Sequence, residues 1–204
     1  MKKIIVTLLF AAILPIMASA QNYNIGLSEQ EKEEITNRVK QKIDAFLQQL
    51  QYVASKDYEV SNEAVKTTLA LFIGQGGAYK LDGTWHNGVK MQTATLRKNR
   101  HGRPIYNKPV LMTRYLKNLQ GLPYKRVTIE QVGAVRVDNL RRVGENRYET
   151  MAYFCQYFRG ERDGGYYSDN TWKSVKVYVE RIDVGGGMTW QIYLGDMKVQ
   201  NITK

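Results

Sequence analysis

The chain has 204 residues, 43% of them hydrophobic and 24% charged, with a formal net charge of +11 and a single cysteine. That is long enough, and apolar enough, for one domain with a sizeable core. One cysteine excludes an internal disulfide framework, so the core must hold the fold by itself.

The first element is a leader. Lys2 and Lys3 precede an apolar run over 4–17, and Ala18-Ser19-Ala20 follows it. The run is shorter than the roughly 20 residues of a comfortable membrane span, and Ala-x-Ala fits signal-peptide cleavage. We therefore expect residues 1–20 to be removed and 21–204 to form a single domain, exported to the periplasm or the cell exterior. The positive balance in that compartment points to an acidic polymer or lipid head group, and argues against nucleic acid.

Helices come next. Ser28 and Glu31 form a capping box, and Ile35, Val39, Ile43, Phe46, Leu47, Leu50 and Val53 recur at spacings of three and four. This predicts a long amphipathic helix with one apolar stripe. A second, shorter helix is expected from Ser61-Asn62-Glu63 to Phe72, ended by the glycines of "GQGGAY". "VKMQTATL" reads as a short strand and "RKNRHGRPIYNKP" as an exposed loop. Pro109 then suits the first turn of a third helix striped by Val110, Tyr115, Leu116 and Leu119, which Gly121 and Pro123 stop.

From Tyr124 the period changes to two. Val127, Ile129, Gln131, Gly133, Val135 and Val137 share one side of a strand. A second strand runs over 148–159, a third shows Val175, Val177 and Val179, and a fourth shows Trp190, Ile192 and Leu194 before bending at Gly195. Turn sequences separate them, so the four should form one antiparallel sheet by hairpins. The expected class is α+β: three N-terminal helices packed on a curved sheet of four or slightly more antiparallel strands.

This order of elements, with "LKNLQGLPYKRVTIE" and the closing "WQIYLGDMKVQNI", resembles the nuclear transport factor 2-like superfamily, in the form of its exported bacterial members. The resemblance implies a cone-shaped fold with a pocket between helices and sheet. It also implies dimers through the outer sheet face in many members, and isomerase or dehydratase chemistry in some.

The residues themselves supply no acid–base signature. His86 and His101 sit in loop-like stretches, and no His, Cys, Asp or Glu cluster has metal-ligand spacing. No metal and no cofactor is expected. Gln131, Phe154, Phe158 and Trp190 are the candidate pocket residues. Cys155 lies among tyrosines with no evident activator of a thiolate. With Tyr153, Tyr157, Tyr178 and Tyr193 it is read as part of an outward-facing wall for a homodimer or an envelope protein partner. Arg97, Lys98, Arg100 and Arg103 form a basic stretch for an anionic partner. Two functions follow: an exported, non-catalytic binding or assembly module of the cell envelope, or a small isomerase- or dehydratase-like enzyme acting on an apolar ligand in the cone. The missing acid–base signature favours the first.

Overall fold

A computed structural model describes residues 26–204. The predicted leader lies outside the described residues.

Helix α1 spans Glu29–Val53. Ser28 Oγ accepts from the Glu31 amide, and the Glu31 carboxylate accepts from the Ser28 amide, which closes the capping box. All seven residues of the predicted stripe are buried. Helix α2 spans Tyr58–Leu69 and starts earlier than the sequence suggests. Asp57 is its cap, accepting from the amides of Glu59 and Val60, while Ser61 donates its hydroxyl to the Val53 carbonyl at 2.6 Å. The helix also stops short of Phe72, which pairs with Leu194 in an isolated bridge.

Six short strands precede the third helix, so the helices do not form an N-terminal block as expected. Strands β1 (Tyr79–Leu81) and β2 (Thr84–His86) make a hairpin. The single strand expected in "VKMQTATL" is divided into β3 (Lys90–Met91) and β4 (Ala94–Lys98), which join different sheets. The expected loop is the rest of a second hairpin, with β5 at Pro104–Tyr106. Val110–Leu111 form β6, paired with β3, and α3 follows as Met112–Gln120. Sequence placed Val110 inside that helix. Pairing with Met91, and the bond from the Met112 amide to the Val89 carbonyl (2.8 Å), hold this stretch extended until Leu111.

Four long strands carry the sheet, as predicted: β7 (Arg126–Val137), β9 (Arg147–Arg162), β10 (Gly165–Val184) and β11 (Gly187–Thr203). With β3, β6 and the two-residue β8 (Arg141–Arg142) it has seven strands, in the order β6-β3-β11-β10-β9-β7, β8 pairing with β9. All pairs are antiparallel except β3 with β11, which meet in parallel at Met91 and Met197. A register shift in β7 between Val132 and Arg136 coincides with Gly133 at φ +72, a backbone that favours glycine.

The core lies between one sheet face and the helices. Phe154, Val175, Val177, Val179, Ile192 and Leu194 are buried there with the α1 stripe and Leu116 of α3. The opposite, outer face is crossed by the β1–β2 hairpin. Tyr79 reaches Tyr178 by a hydrogen bond and stacks on His86 with ring centroids 4.8 Å apart.

Candidate functional site

Alternation along β10 sets Asp169, Thr171 and Lys173 on the same face as Val175, Val177 and Val179. Polar side chains therefore continue an apolar face into the protein. Across the sheet Thr171 pairs with Gln156, which pairs with Gln131 of β7. Lys173, Gln156, Thr171 and Asp169 are all buried, Lys173 at 3% exposure. Groups so buried need partners, and they have them. Lys173 Nζ donates to Gln156 Oε1 at 2.8 Å. Thr171 Oγ1 donates to Asp169 Oδ1 at 2.7 Å, and Tyr167 also hydrogen-bonds Asp169. The Tyr115 ring of α3 lies 5.9 Å from Lys173 Nζ. The Tyr167 hydroxyl further bonds the Leu96 backbone, which ties the β4–β5 hairpin to this end of the sheet.

Burial governs the electrostatics. It drives the Lys173 amine down to about 8, with the charge of Asp169 opposing the shift. The Tyr115 and Tyr167 hydroxyls move up, by burial first; Asp169 adds to both, through its charge at Tyr115 and its hydrogen bond at Tyr167. An amine near neutrality, a carboxylate and two phenols are competent for proton transfer. Here the amine and the carboxylate are engaged by other groups of the chain.

Gln131 is the predicted pocket residue that lines a hollow. Between α1 and β7, about 230 Å³ is bounded by Asp44, Leu47, Gln48, Gln51, Ile129 and Gln131, with Glu130 at its edge. Gln131 Nε2 donates to the Gly133 carbonyl at 2.8 Å, and its buried Oε1 has no hydrogen-bond partner. The other pocket candidates serve packing. Phe154 is fully buried, and Trp190 is set edge-on to Tyr148 with 5.8 Å between rings. Phe158 is half-buried against Tyr124 and Tyr167.

The tyrosine wall is corrected by the chain's own coverage. Parity does put Cys155 and the named tyrosines opposite Phe154, but Cys155 and Tyr178 are only 2% and 7% exposed. Tyr178 lies beneath Tyr79, and burial, aided by Asp169, pushes the Cys155 thiol up, away from the reactive thiolate. Tyr153, Tyr157 and Tyr193 are half-exposed, with Arg136 stacked over the Tyr153 ring at 4.3 Å. Trp172 and Val132, cross-strand neighbours of Cys155, are the open apolar residues at this place, 45% and 46% exposed.

Arg97, Lys98, Arg100 and Arg103 are exposed together at the β4–β5 tip. Asn99 shapes that tip, its side chain accepting from the amides of His101 and Arg103. Among the described residues, no three His, Cys, Asp or Glu side chains converge as a metal site, and no helix is long and apolar enough to cross a membrane.

No family model matches this chain, and neither does any curated protein. Among solved structures, the crystal structure of a "Putative Scytalone Dehydratase" from Novosphingobium aromaticivorans DSM 12444 is similar with a TM-score of 0.44. Identity is 10%, over 85% of this chain and 90% of that one. A likeness of that degree carries no argument about chemistry.

Proposed function

We propose that this chain is an exported, non-catalytic binding module of the bacterial cell envelope, built on a nuclear transport factor 2-like cone. Its ligand enters beside Gln131, between α1 and the sheet. One contrast carries the reading. Lys173 and Asp169, the ionised groups deepest on this face, are bonded within the chain, whereas Gln131 Oε1 is buried at a hollow with nothing to accept from. An unmatched buried acceptor is a place for a ligand's donor. The order of one long helix, two shorter helices and four long hairpin-linked strands supports the cone. In the same reading the half-exposed tyrosines and Trp172 meet a second copy or an envelope protein, and the β4–β5 tip meets an acidic polymer or lipid head group.

The test is native mass spectrometry of the mature chain purified from envelope extract. A small molecule should stay bound to the wild type and be lost from Gln131→Leu, and Edman sequencing should begin at Gln21. The second reading, an isomerase or dehydratase, is favoured by the near-neutral Lys173 beside Tyr115 and Asp169. A turnover that Asp169→Asn abolishes in a folded variant would establish that reading instead.

A further inference from the structure

Positive charge is concentrated in one part of the chain. Residues 83–129 hold ten Lys and Arg and no Asp or Glu, so they supply ten of a net charge of +11. All ten residues are exposed. Among the described residues Lys125 alone of them is in an ion pair, with Asp163. The fold gathers the middle of this segment at one edge of the sheet. Strand β6 is that edge, β3 lies next to it, and the β4–β5 hairpin is the connection between them. The Asn107 amide closes the base of the hairpin on the Thr93 carbonyl at 2.8 Å, and Asn107 Nδ2 reaches Thr93 Oγ1 at 2.9 Å. The Asn99 amide closes its tip on the Arg103 carbonyl at 2.8 Å. Arg97, Lys98, Arg100 and Arg103 are therefore carried on an ordered arm, and less order has to be gained on binding.

Strand register shows what accompanies the charge. In the β3–β6 pair Lys90 stands opposite Leu111, and Met91 opposite Val110. Met91 is buried and meets Met197, which pairs with the core valine Val175. By alternation Lys90 and Leu111 share the other, outer face, where Leu111 is 40% exposed. In the β1–β2 hairpin Tyr79 stands opposite His86, and Lys80 opposite Trp85. Tyr79 is turned to the sheet, where it bonds Tyr178, so Lys80 and Trp85 point away from it. Trp85 is 69% exposed. The hairpin crosses the outer face, so both pairs look out on the same side of the molecule. Each sets a large apolar side chain beside a lysine. Two carboxylates lie next to them. Asp82 of the β1–β2 turn is paired with Arg147, which leaves Asp196, an acceptor for the Lys90 amide, against Lys80, Lys90 and the arm.

Charge and apolar area together select the partner. A second copy has no acidic half to offer, because outside residues 83–129 the chain is close to neutral. A soluble polyanion answers the cations and leaves Trp85 and Leu111 in water. A bilayer with anionic head groups answers both: apolar side chains settle at head-group depth, and lysines beside them keep their charge at the phosphates.

We propose that this side of the molecule, from the β1–β2 hairpin to the β4–β5 arm, rests on an anionic lipid bilayer. Trp85 and Leu111 lie at head-group depth, with Lys80, Lys90 and the cations of the arm against the phosphates. The proposal rests on the anionic-partner role given above to the β4–β5 tip and names that partner; it is independent of the ligand beside Gln131.

The experiment is co-sedimentation of the mature chain with vesicles of equal parts phosphatidylglycerol and phosphatidylcholine, and with phosphatidylcholine vesicles, beside retention on immobilised heparin. Wild type should bind the anionic vesicles and leave the neutral ones in suspension. Trp85→Ser removes apolar area and keeps every cation. It should weaken binding to anionic vesicles about tenfold and leave heparin retention as it is. Leu111→Ser should repeat that pattern more weakly. Lys80→Gln and Lys90→Gln should each weaken vesicle binding about fivefold. All four residues are exposed, so circular dichroism of each variant should match wild type. Equal vesicle binding by wild type, Trp85→Ser and Leu111→Ser overturns the proposal. Heparin retention that reversal of Arg97, Lys98, Arg100 and Arg103 abolishes, with no binding to anionic vesicles, overturns the bilayer and keeps a soluble anionic partner at the tip. Binding to neither removes that partner as well.

Discussion

Lys173 Nζ sits 2.8 Å from Gln156 Oε1 across the β9–β10 pair, on the helix-covered face of the sheet. The bond satisfies a buried amine without neutralising it. Asp169 is near enough to act on the amine through its charge, but desolvation dominates and the amine stands at about 8.

That value predicts a stability profile. Unfolded lysine titrates near 10.4. Between about pH 8 and 10 the unfolded chain holds this proton and the folded chain does not, so stability rises with pH across that window. From pH 8 to 9.5 the gain should reach about 2 kcal/mol. Above pH 10 the raised tyrosines Tyr79, Tyr115 and Tyr167 oppose it, since their ionisation favours the unfolded chain. Urea midpoints at pH 7.5 and 9.5 measure the rise, and Lys173→Met should abolish it. A rise that persists in that variant assigns it to other groups.

Gln131 predicts a trade between stability and binding. Leucine is close in volume and removes a buried acceptor that lacks a partner. Leaving such a group unmatched costs about 1–3 kcal/mol, part of which the Gly133 contact offsets. Gln131→Leu should therefore be no less stable than wild type in thermal unfolding, while losing the ligand. A variant that is both less stable and fully loaded contradicts the role given to Oε1.

Much of this architecture is legible in the sequence because its signals are local. The Ser28–Glu31 box and the three–four spacing up to Val53 define α1. Alternation and turn residues define the long strands, since each needs only its own side-chain pattern. Where the reading fails, a distant partner decides. Val110 looks helical after Pro109 but is held by Met91 of β3. Ser61 looks like a cap but serves the end of α1, and Asp57 takes its place. Cys155 obeys the parity argument, yet parity gives a face and not its exposure. The buried polar row had a signal that went unused: in "SDNTWKSVKV", Asp169, Thr171 and Lys173 fall in step with the core valines. Polar residues in the phase of a buried face mark an internal site or network.

The fate of the thiol follows from its burial. Cys155 should react with Ellman's reagent only as fast as the protein opens, because the side chain is 2% exposed and its pKa is raised. Cys155→Ser should keep ligand binding and lose about 1–2 kcal/mol, the cost of placing a hydroxyl there. Fast labelling of the folded chain, or loss of binding in a folded serine variant, would restore a chemical role.

At the β4–β5 tip, reversing Arg97, Lys98, Arg100 and Arg103 to glutamate tests the anionic partner. These side chains are exposed and lie beyond the core, so stability should be unchanged. Co-sedimentation with phosphatidylglycerol vesicles should fall in the variant, and fall for wild type as salt is raised. Sedimentation indifferent to both changes removes the tip from the binding surface.

The outer face offers a last discrimination, between residues that look alike in sequence and differ in coverage. Trp172 is 45% exposed, across Cys155 from Val132, while Tyr178 is buried under Tyr79 and close to the Glu149–Lys176 pair. Apolar area of the first kind stays out of water only if another surface covers it. A charge at the second position has no solvent to enter and sits near an existing carboxylate. Trp172→Asp should therefore fold normally by circular dichroism and, where the chain pairs through this face, elute as a smaller species on sizing chromatography than wild type. Tyr178→Asp should instead lower the melting temperature sharply, whatever the oligomeric state. If Trp172→Asp leaves the elution of an oligomeric wild type unchanged, the contact lies elsewhere. If Tyr178→Asp folds like wild type, the β1–β2 hairpin does not hold the outer face closed.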